Sequence, residues 1–158
     1  MSSFSTVIEV AQPSERVFEA IRDVRGWWSG AIEGRTREVG DEFTYEVPDI
    51  HWCKFRITEV DAPSKISWLV TDSWLTFTEK KDEWTGTTVT FDVSEQDGLT
   101  QVRFTHEGLV PEFECYELCS GAWSGYIAGS LRHLIVTGMG SPNPESPVGS
   151  ISPAVRDR

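Results

Sequence analysis

The 158-residue chain has few basic residues, few cysteines and no long apolar run. Lys and Arg number 14 against 25 Asp and Glu, which gives a formal net charge of −11. A surface this acidic repels phosphate backbones and anionic headgroups, so we expect neither nucleic acid nor a membrane surface as a partner. No apolar run approaches the roughly 20 residues needed to span a bilayer.

Only three cysteines occur, Cys53, Cys115 and Cys119. Their odd number, and a first stretch MSSFSTVIEV that lacks the regions of a secretory signal, favour a reducing cytoplasm. Cys115 and Cys119 lie one helical turn apart, but no second pair completes four metal ligands. We therefore expect reduced thiols in or near the core, and neither a metal nor another cofactor.

Signatures of common enzyme chemistry are missing as well. The chain has no nucleophile elbow, phosphate-binding loop or dinucleotide fingerprint. It also has no internal repeat, and its length and 39% hydrophobic content fit one globular domain, which we place at residues 1–140. Residues 141–158 hold four of the eight prolines and little apolar content, so we expect a disordered tail.

The hydrophobic periodicity predicts an α+β domain. Residues 4–10 alternate as a first strand, and Pro13 begins a short helix that ends near Asp23. A period of two then predicts about six strands, with turns that include Pro48-Asp49 and a hairpin at Asp97-Gly98. Trp74 and Phe77 could continue a strand toward Glu79, but Lys80-Lys81-Asp82 and Gly86 bracket a polar tip, so residues 71–86 are read as an exposed hairpin or a mobile flap.

One segment, Glu112 to Gly140, is long and periodic enough for a major helix. Gly138, Gly140 and Pro142 end it. Its large apolar side chains form one stripe: Tyr116, Cys119, Trp123, Ile127, Leu131 and Leu134. Glycine recurs every fourth residue at Gly121, Gly125 and Gly129, which favours close packing against the sheet over a ligand groove. Strand, short helix, meander and long helix together predict a curved sheet that holds the helix in its concave face.

Five segments carry a family resemblance that covers about residues 4 to 140: AQPSERVFEAIRDVRGWWSG, EWTGTTVTFDV, DGLTQVRFTHEGL, ECYELCSGAWSGYIAGSLRHLI and GMGSP. Together they resemble the START-like (Bet v-like, helix-grip) superfamily, and most of all its bacterial proteins named for homology to the activator of heat-shock protein 90 ATPase. The resemblance implies a helix-grip fold of six or seven antiparallel strands wrapped around a long C-terminal helix, with one or two short helices after the first strand. Members include lipid carriers, polyketide cyclases and aromatases, plant hormone receptors and co-chaperones, so fold alone does not decide the activity.

Strand parity predicts which side chains line a cavity between helix and sheet. Adjacent tryptophans point in different directions, so only one of Trp27 and Trp28 is expected to be fully buried. The seven tryptophans exceed what core packing usually requires, although packing alone explains most of them. The predicted ligand-binding residues are Trp27, Trp28, Tyr45, His51, Cys53, Trp68, Phe104, His106, Trp123 and Ile127.

Two histidines are candidates for polar roles. His106 is either a general base or a strand-end histidine that hydrogen-bonds a neighbouring carbonyl or caps the turn at Glu107-Gly108. His51 adjoins a turn, where it points into the cavity or is wholly exposed. No catalytic residue other than His106 is indicated.

Three functions are consistent with the sequence. The first is binding of a small apolar or aromatic molecule in the cavity. The second is a cyclase or dehydratase that uses His106 in the same cavity. The third is a chaperone interaction, which is the least favoured because the chain matches only the C-terminal type of domain of the eukaryotic activator. The protein is either a monomer or a homodimer, and an exposed Trp52 or Trp84 would mark a dimer surface.

Overall fold

A computed structural model describes residues 3–29, 32–47, 51–76, 78–111, 113–114 and 116–140. The predicted turn at Pro48-Asp49, Phe77, Cys115 and the tail 141–158 lie outside these residues. Within them, no helix is long and apolar enough to cross a membrane.

Seven antiparallel strands form one sheet in the order β1-β7-β6-β5-β4-β3-β2. This confirms the predicted helix-grip architecture. Two register shifts in the β4–β5 pair, between Lys54 and Phe55 and between Ile57 and Glu59, are bulge positions that bend the strand. The strands are β1 Phe4–Val10, β2 Glu33–Gly34, β3 Glu42–Val47, β4 His51–Asp61, β5 Lys65–Leu75, β6 Thr88–Gln96 and β7 Leu99–Glu107.

Alternating side chains give the sheet one buried face. On β7, Val102, Phe104 and His106 are fully buried, whereas Arg103 between them is exposed. The hairpin from β6 to β7 turns at Asp97-Gly98, as predicted, and both residues have positive φ. The two-residue periodicity of the sequence therefore predicted correctly which side chains of this strand point into the core.

Two short helices, α1 Ser14–Arg22 and α2 Val24–Trp27, follow β1. The last helix has three parts: α3 Tyr116–Gly125, a π-helical stretch Tyr126–Leu131, and α4 Arg132–Thr137. Gly138 ends it in the left-handed conformation, and its N–H donates to the Leu134 carbonyl over 2.8 Å.

The buried stripe of the last helix steps by four residues throughout: Cys119, Trp123, Ile127, Leu131 and Ile135. Steps of four drift around a regular α-helix, which has 3.6 residues per turn. The π-helical stretch takes an extra residue into its turn and so keeps the stripe on the sheet. As a result Ile135 is buried, and the predicted Leu134 is only half-buried at the edge of the core.

The glycine row does not pack against the sheet, contrary to our expectation. Gly121, Gly125 and Gly129 are exposed, and a Cβ added to any of them would meet no other heavy atom within 4 Å. Each glycine lies two residues, about 200°, from neighbours on the buried stripe, so the row occupies the opposite side of the helix.

The exposed hairpin that we predicted within residues 71–86 is wrong, whereas the alternative, a mobile flap, stays a prediction. Strand β5 continues to Leu75, and residues 78–87, which we call the closing segment, fold back onto the protein. Trp84 and Thr78 in this segment are buried. Trp84 therefore does not mark a dimer surface, whereas Trp74 on the outer face of β5 is 54% exposed.

Candidate functional site

The residues predicted to line a cavity do meet between the last helix and the concave face of the sheet. Nine of the ten are buried, and His51 is half-buried as a whole residue. The centre of the group is Trp28, whose ring lies 4.3 Å from Tyr45, 4.9 Å from Trp123 and 6.4 Å from Trp68, measured between ring centroids. In this conformation, aromatic rings in mutual contact fill the space between helix and sheet.

Trp27 and Trp28 are both buried, at 0% and 1% exposure, so the expectation that only one would be is wrong. Trp27 is the last residue of α2, and Trp28 still has right-handed helical dihedrals. Neighbours on a helix diverge by about 100° instead of alternating as on a strand, so both rings reach the interior. They stack at 6.1 Å with 13° between their planes.

His106 is part of a hydrogen-bond chain inside the protein. Trp123 Nε1 donates to His106 Nδ1 over 3.1 Å, and His106 Nε2 lies 2.7 Å from Thr87 Oγ1. Because Thr87 Oγ1 donates to the Trp84 carbonyl over 2.6 Å, it accepts from Nε2–H of the histidine. The ring is therefore neutral, with its proton on Nε2, and both of its nitrogens are engaged.

Burial, with a smaller contribution from the neighbouring His51, lowers the pKa of His106 to about 3. This geometry agrees with the hydrogen-bonding role, although the partners are Trp123 and Thr87 and not the turn at Glu107-Gly108. A general base needs a free lone pair, and here the lone pair on Nδ1 accepts from Trp123.

The ring of His51 is buried, so the expectation that this residue is wholly exposed is wrong. The ring lies edge-on between Tyr45 at 5.4 Å and Trp84 at 4.7 Å, and its Nε2 atom is shielded from solvent. Burial lowers the pKa of His51 to about 4. Two neutral imidazole rings thus pack against one indole.

That indole, Trp84, is the residue that the sequence did not identify as part of the site. Its ring is 3% exposed, lies 4.8 Å from His106 and stacks on Trp123 at 5.9 Å with 16° between the planes. A tryptophan within a polar turn, two residues before Gly86, was the available signal. Strand and helix periodicity assign no direction to a side chain in an irregular segment, so they do not predict that Trp84 is buried.

The buried tryptophans differ in hydrogen bonding. Trp27 Nε1 donates to the Ile21 carbonyl over 3.1 Å, and Trp123 Nε1 donates to His106. Among the described residues, the indole nitrogens of Trp28 and Trp68 are buried and have no hydrogen-bond partner.

The remaining predicted residues have apolar surroundings. Phe104 packs on Trp123 at 4.6 Å, and Ile127 lies on the π-helical stretch of the last helix, fully buried. Cys53 is fully buried, and burial raises the pKa of its thiol. Cys119 is also buried. In the described part of the chain, no group of three or more His, Cys, Asp or Glu side chains could hold a metal ion.

An open surface groove of about 260 Å³ lies apart from this site. It runs between α1 and α4 and contains none of the predicted residues; Glu19 on its rim is ion-paired with Arg22 and Arg37.

Comparison with known proteins identifies related chains. The profile of the family described as Activator of Hsp90 ATPase homolog 1-like protein matches residues 11–135. No curated protein sequence matches the chain.

Three solved structures show the same fold at low identity. The Aha1 dimer from Colwellia psychrerythraea has a TM-score of 0.71 at 20% identity, with 89% of this chain and 100% of that one covered. DynU16, a protein in the dynemicin biosynthetic locus, has a TM-score of 0.65 at 12% identity, with 86% and 48% covered. PFC0360w, an HSP90 activator from Plasmodium falciparum, has a TM-score of 0.58 at 20% identity, with 88% and 98% covered.

Proposed function

Because the chain belongs to the family of Activator of Hsp90 ATPase homolog 1-like proteins, which share the helix-grip fold, we propose that it binds a small hydrophobic or aromatic molecule between its last helix and the concave face of its sheet. One observation supports this above all. Rings from α2, strands β3, β4, β5 and β7, the closing segment and α3 converge on the same space, where Trp28 contacts Tyr45, Trp68 and Trp123.

The chemistry of this space suits flat, apolar ligands. Aromatic walls offer large contact areas, and offset-stacked or edge-to-face contacts add about 0.5–1.5 kcal/mol per ring pair beyond area burial. A few polar groups stand among the rings, as in most small-molecule sites: the hydroxyl of Tyr45, the imidazoles of His51 and His106, and the indole N–H groups.

Ligand entry requires the closing segment to move, because Trp84 occupies the end of the interior nearest the two histidines. The base of the segment is paired with β5, where Gly86 N–H donates to the Val70 carbonyl and Val70 N–H donates to the Thr87 carbonyl, each over 2.9 Å, and further hydrogen bonds hold the rest. Leu75 N–H donates to the Lys81 carbonyl over 2.8 Å, and Glu114 N–H donates to Glu83 Oε2 over 2.9 Å. Turns held in this way open at lower free energy than strands in the middle of a sheet.

A titration with N-phenyl-1-naphthylamine, a neutral apolar fluorophore, tests the proposal. We expect saturable 1:1 binding with quenching of tryptophan emission. Trp123→Leu should weaken binding because it removes a wall of the site, whereas Trp74→Leu, on the outer face, should not. Native mass spectrometry of protein purified under mild conditions would then identify a ligand carried from the cell. Non-saturable binding, or equal loss in both variants, would contradict the proposal.

The enzymatic alternative finds less support in the geometry. A cyclase or dehydratase with His106 as general base needs that histidine to accept a proton, yet Nδ1 accepts from Trp123 and Nε2 carries the proton given to Thr87. A His106→Ala variant tests this alternative directly. Undiminished turnover of any activated carbon acid that the protein converts would exclude His106 as the base.

A second candidate, a chaperone interaction, is favoured by the comparisons. The matching family takes its name from an activator of Hsp90 ATPase, and the Plasmodium falciparum neighbour is described as an HSP90 activator. The ATPase rate of the bacterial chaperone, measured with and without this protein, tests it. An unchanged rate at a saturating concentration, with no complex in a pull-down, would exclude this role.

A further inference from the structure

We propose that the ligand is a neutral aromatic molecule with a hydrogen-bond acceptor, such as a ketone oxygen, that binds the indole N–H groups of Trp28 and Trp68. This inference rests on the proposed function, and it specifies the class of ligand that the interior selects.

The inference starts from the contrast among the buried indoles. Trp27 and Trp123 each donate a hydrogen bond, to the Ile21 carbonyl and to His106 Nδ1. Trp28 and Trp68 are equally buried, at 1% and 0% exposure, yet within the residues described their Nε1 atoms have no partner. Most buried side-chain polar atoms in proteins have at least one partner, so two exceptions in one cluster call for an explanation.

The two unpartnered indoles are neighbours. Their ring centroids are 6.4 Å apart, and their planes differ by 4°. A buried donor that lacks an acceptor destabilises the folded protein, since it has lost its hydrogen bond to water. An indole N–H only donates, so the group that satisfies it must be an acceptor, and a carbonyl oxygen has two lone pairs with which to accept. An acceptor oxygen in the plane of either ring, at its N–H edge, would therefore offset the cost at that site.

The charges around the cluster favour a neutral acceptor over an anion. Among the described residues, no Lys or Arg is buried; Glu83, in the closing segment, is the one buried charged residue. A carboxylate or phosphate in the interior would lack a compensating cation, and burying an unpaired charge is costly.

A matched pair of probes separates the acceptor from the aromatic body. 1-Tetralone and tetralin differ by one carbonyl group, and calorimetry gives their affinities for the wild-type protein and for Trp28→Phe, Trp68→Phe and Trp74→Phe. We expect wild type to bind the ketone about tenfold more tightly, the value of one hydrogen bond of about 1–1.5 kcal/mol. Trp28→Phe or Trp68→Phe should remove this preference while tetralin still binds, and Trp74→Phe, which changes an exposed ring, should keep it.

A spectroscopic readout does not depend on how the variants fold. In ¹⁵N-labelled wild-type protein, the ketone should shift the indole proton of Trp28 or Trp68 downfield, and tetralin should not. Equal affinity for both probes, with no such shift, would overturn the inference and leave ligand binding standing. Failure of both probes to bind would contradict the inference and the proposed function together.

Discussion

The two ends of the interior are built differently. At the histidine end, His51, Trp84, Thr87, His106 and Trp123 combine rings with a hydrogen-bond chain. At the tryptophan end, Trp27, Trp68, Phe43, Phe55 and Phe91 are in ring contact, with centroids 5.0–6.5 Å apart. The closing segment contributes to the histidine end alone, whereas strands and α2 supply the other.

This difference assigns separate roles to the two ends. The tryptophan end depends on close packing, and its rings are supplied by regular elements that open only at high free energy. The histidine end depends on directional bonds to one irregular segment, which can break as a group. We therefore expect ligands to enter at the histidine end and the fold to be stabilised chiefly by the tryptophan end.

The largest effect should come from Trp68→Ala. The ring is fully buried and contacts five other aromatic rings, so its removal should lower the free energy of unfolding by about 3–5 kcal/mol. Trp74→Ala, on the exposed face of the same strand, should change it by less than about 0.5 kcal/mol. Urea denaturation measures both, and comparable losses would refute the assignment of stability to the tryptophan end.

Acid should weaken the histidine end. Burial holds the pKa of His51 at about 4 and that of His106 at about 3, below the ordinary value of 6.5. As the pH falls below 6.5, the unfolded chain takes up protons that the folded chain does not, so stability is lost until the pH reaches the folded pKa values. Between pH 7.5 and pH 5 the loss should be roughly 2 kcal/mol per histidine.

His106→Gln is the control for this pH dependence. It should remove about half of the loss between pH 7.5 and pH 5, whatever its effect on stability at pH 7.5. A stability that stays constant over this range in the wild-type protein would show that the two imidazoles are not held neutral.

A smaller effect is expected at Thr87, the residue of the closing segment whose hydroxyl bonds to His106. Thr87→Val preserves shape but removes the hydroxyl, leaving Nε2–H of His106 and the Trp84 carbonyl without this partner. The cost should be about 1–3 kcal/mol. Thr88→Val changes the next, half-buried residue and should be close to neutral. Equal thermal denaturation midpoints for the two variants would mean that the hydrogen-bond chain does not hold the segment.

The smallest effect concerns the outer face of the last helix. Gly121 is exposed, and a Cβ there meets nothing within 4 Å. Gly121→Ala should therefore stabilise the protein by about 0.5–1 kcal/mol through helix propensity and leave ligand affinity unchanged. Loss of stability or of binding would show that the glycine row faces a partner after all.

Much of this site follows from the sequence. The period of two placed Tyr45, Cys53 and His106 inward, because a strand with one buried face tolerates no other register. The helical stripe likewise identified Trp123 and Ile127. The same stripe implied that the glycine row faces outward, since its members lie two residues from buried ones. That step follows from helix geometry alone, and it shows why the expected packing against the sheet was wrong.

Three features could not be deduced from local patterns. Trp84 lies in a turn, and its burial depends on contacts with His51 and His106 that are distant in sequence. The joint burial of Trp27 and Trp28 depends on where α2 ends. The tautomer of His106 depends on Trp123 and Thr87, which belong to two other elements. Each results from tertiary packing, which periodicity does not encode.

The most direct test of the central claim is the indole region of the ¹⁵N–¹H spectrum during titration with N-phenyl-1-naphthylamine. If the ligand binds between helix and sheet and displaces the closing segment, the signals of Trp28, Trp84 and Trp123 should shift and saturate together while that of Trp74 stays in place. A shift confined to Trp74 and its exposed surroundings, or no shift at all, would contradict ligand binding between the last helix and the sheet.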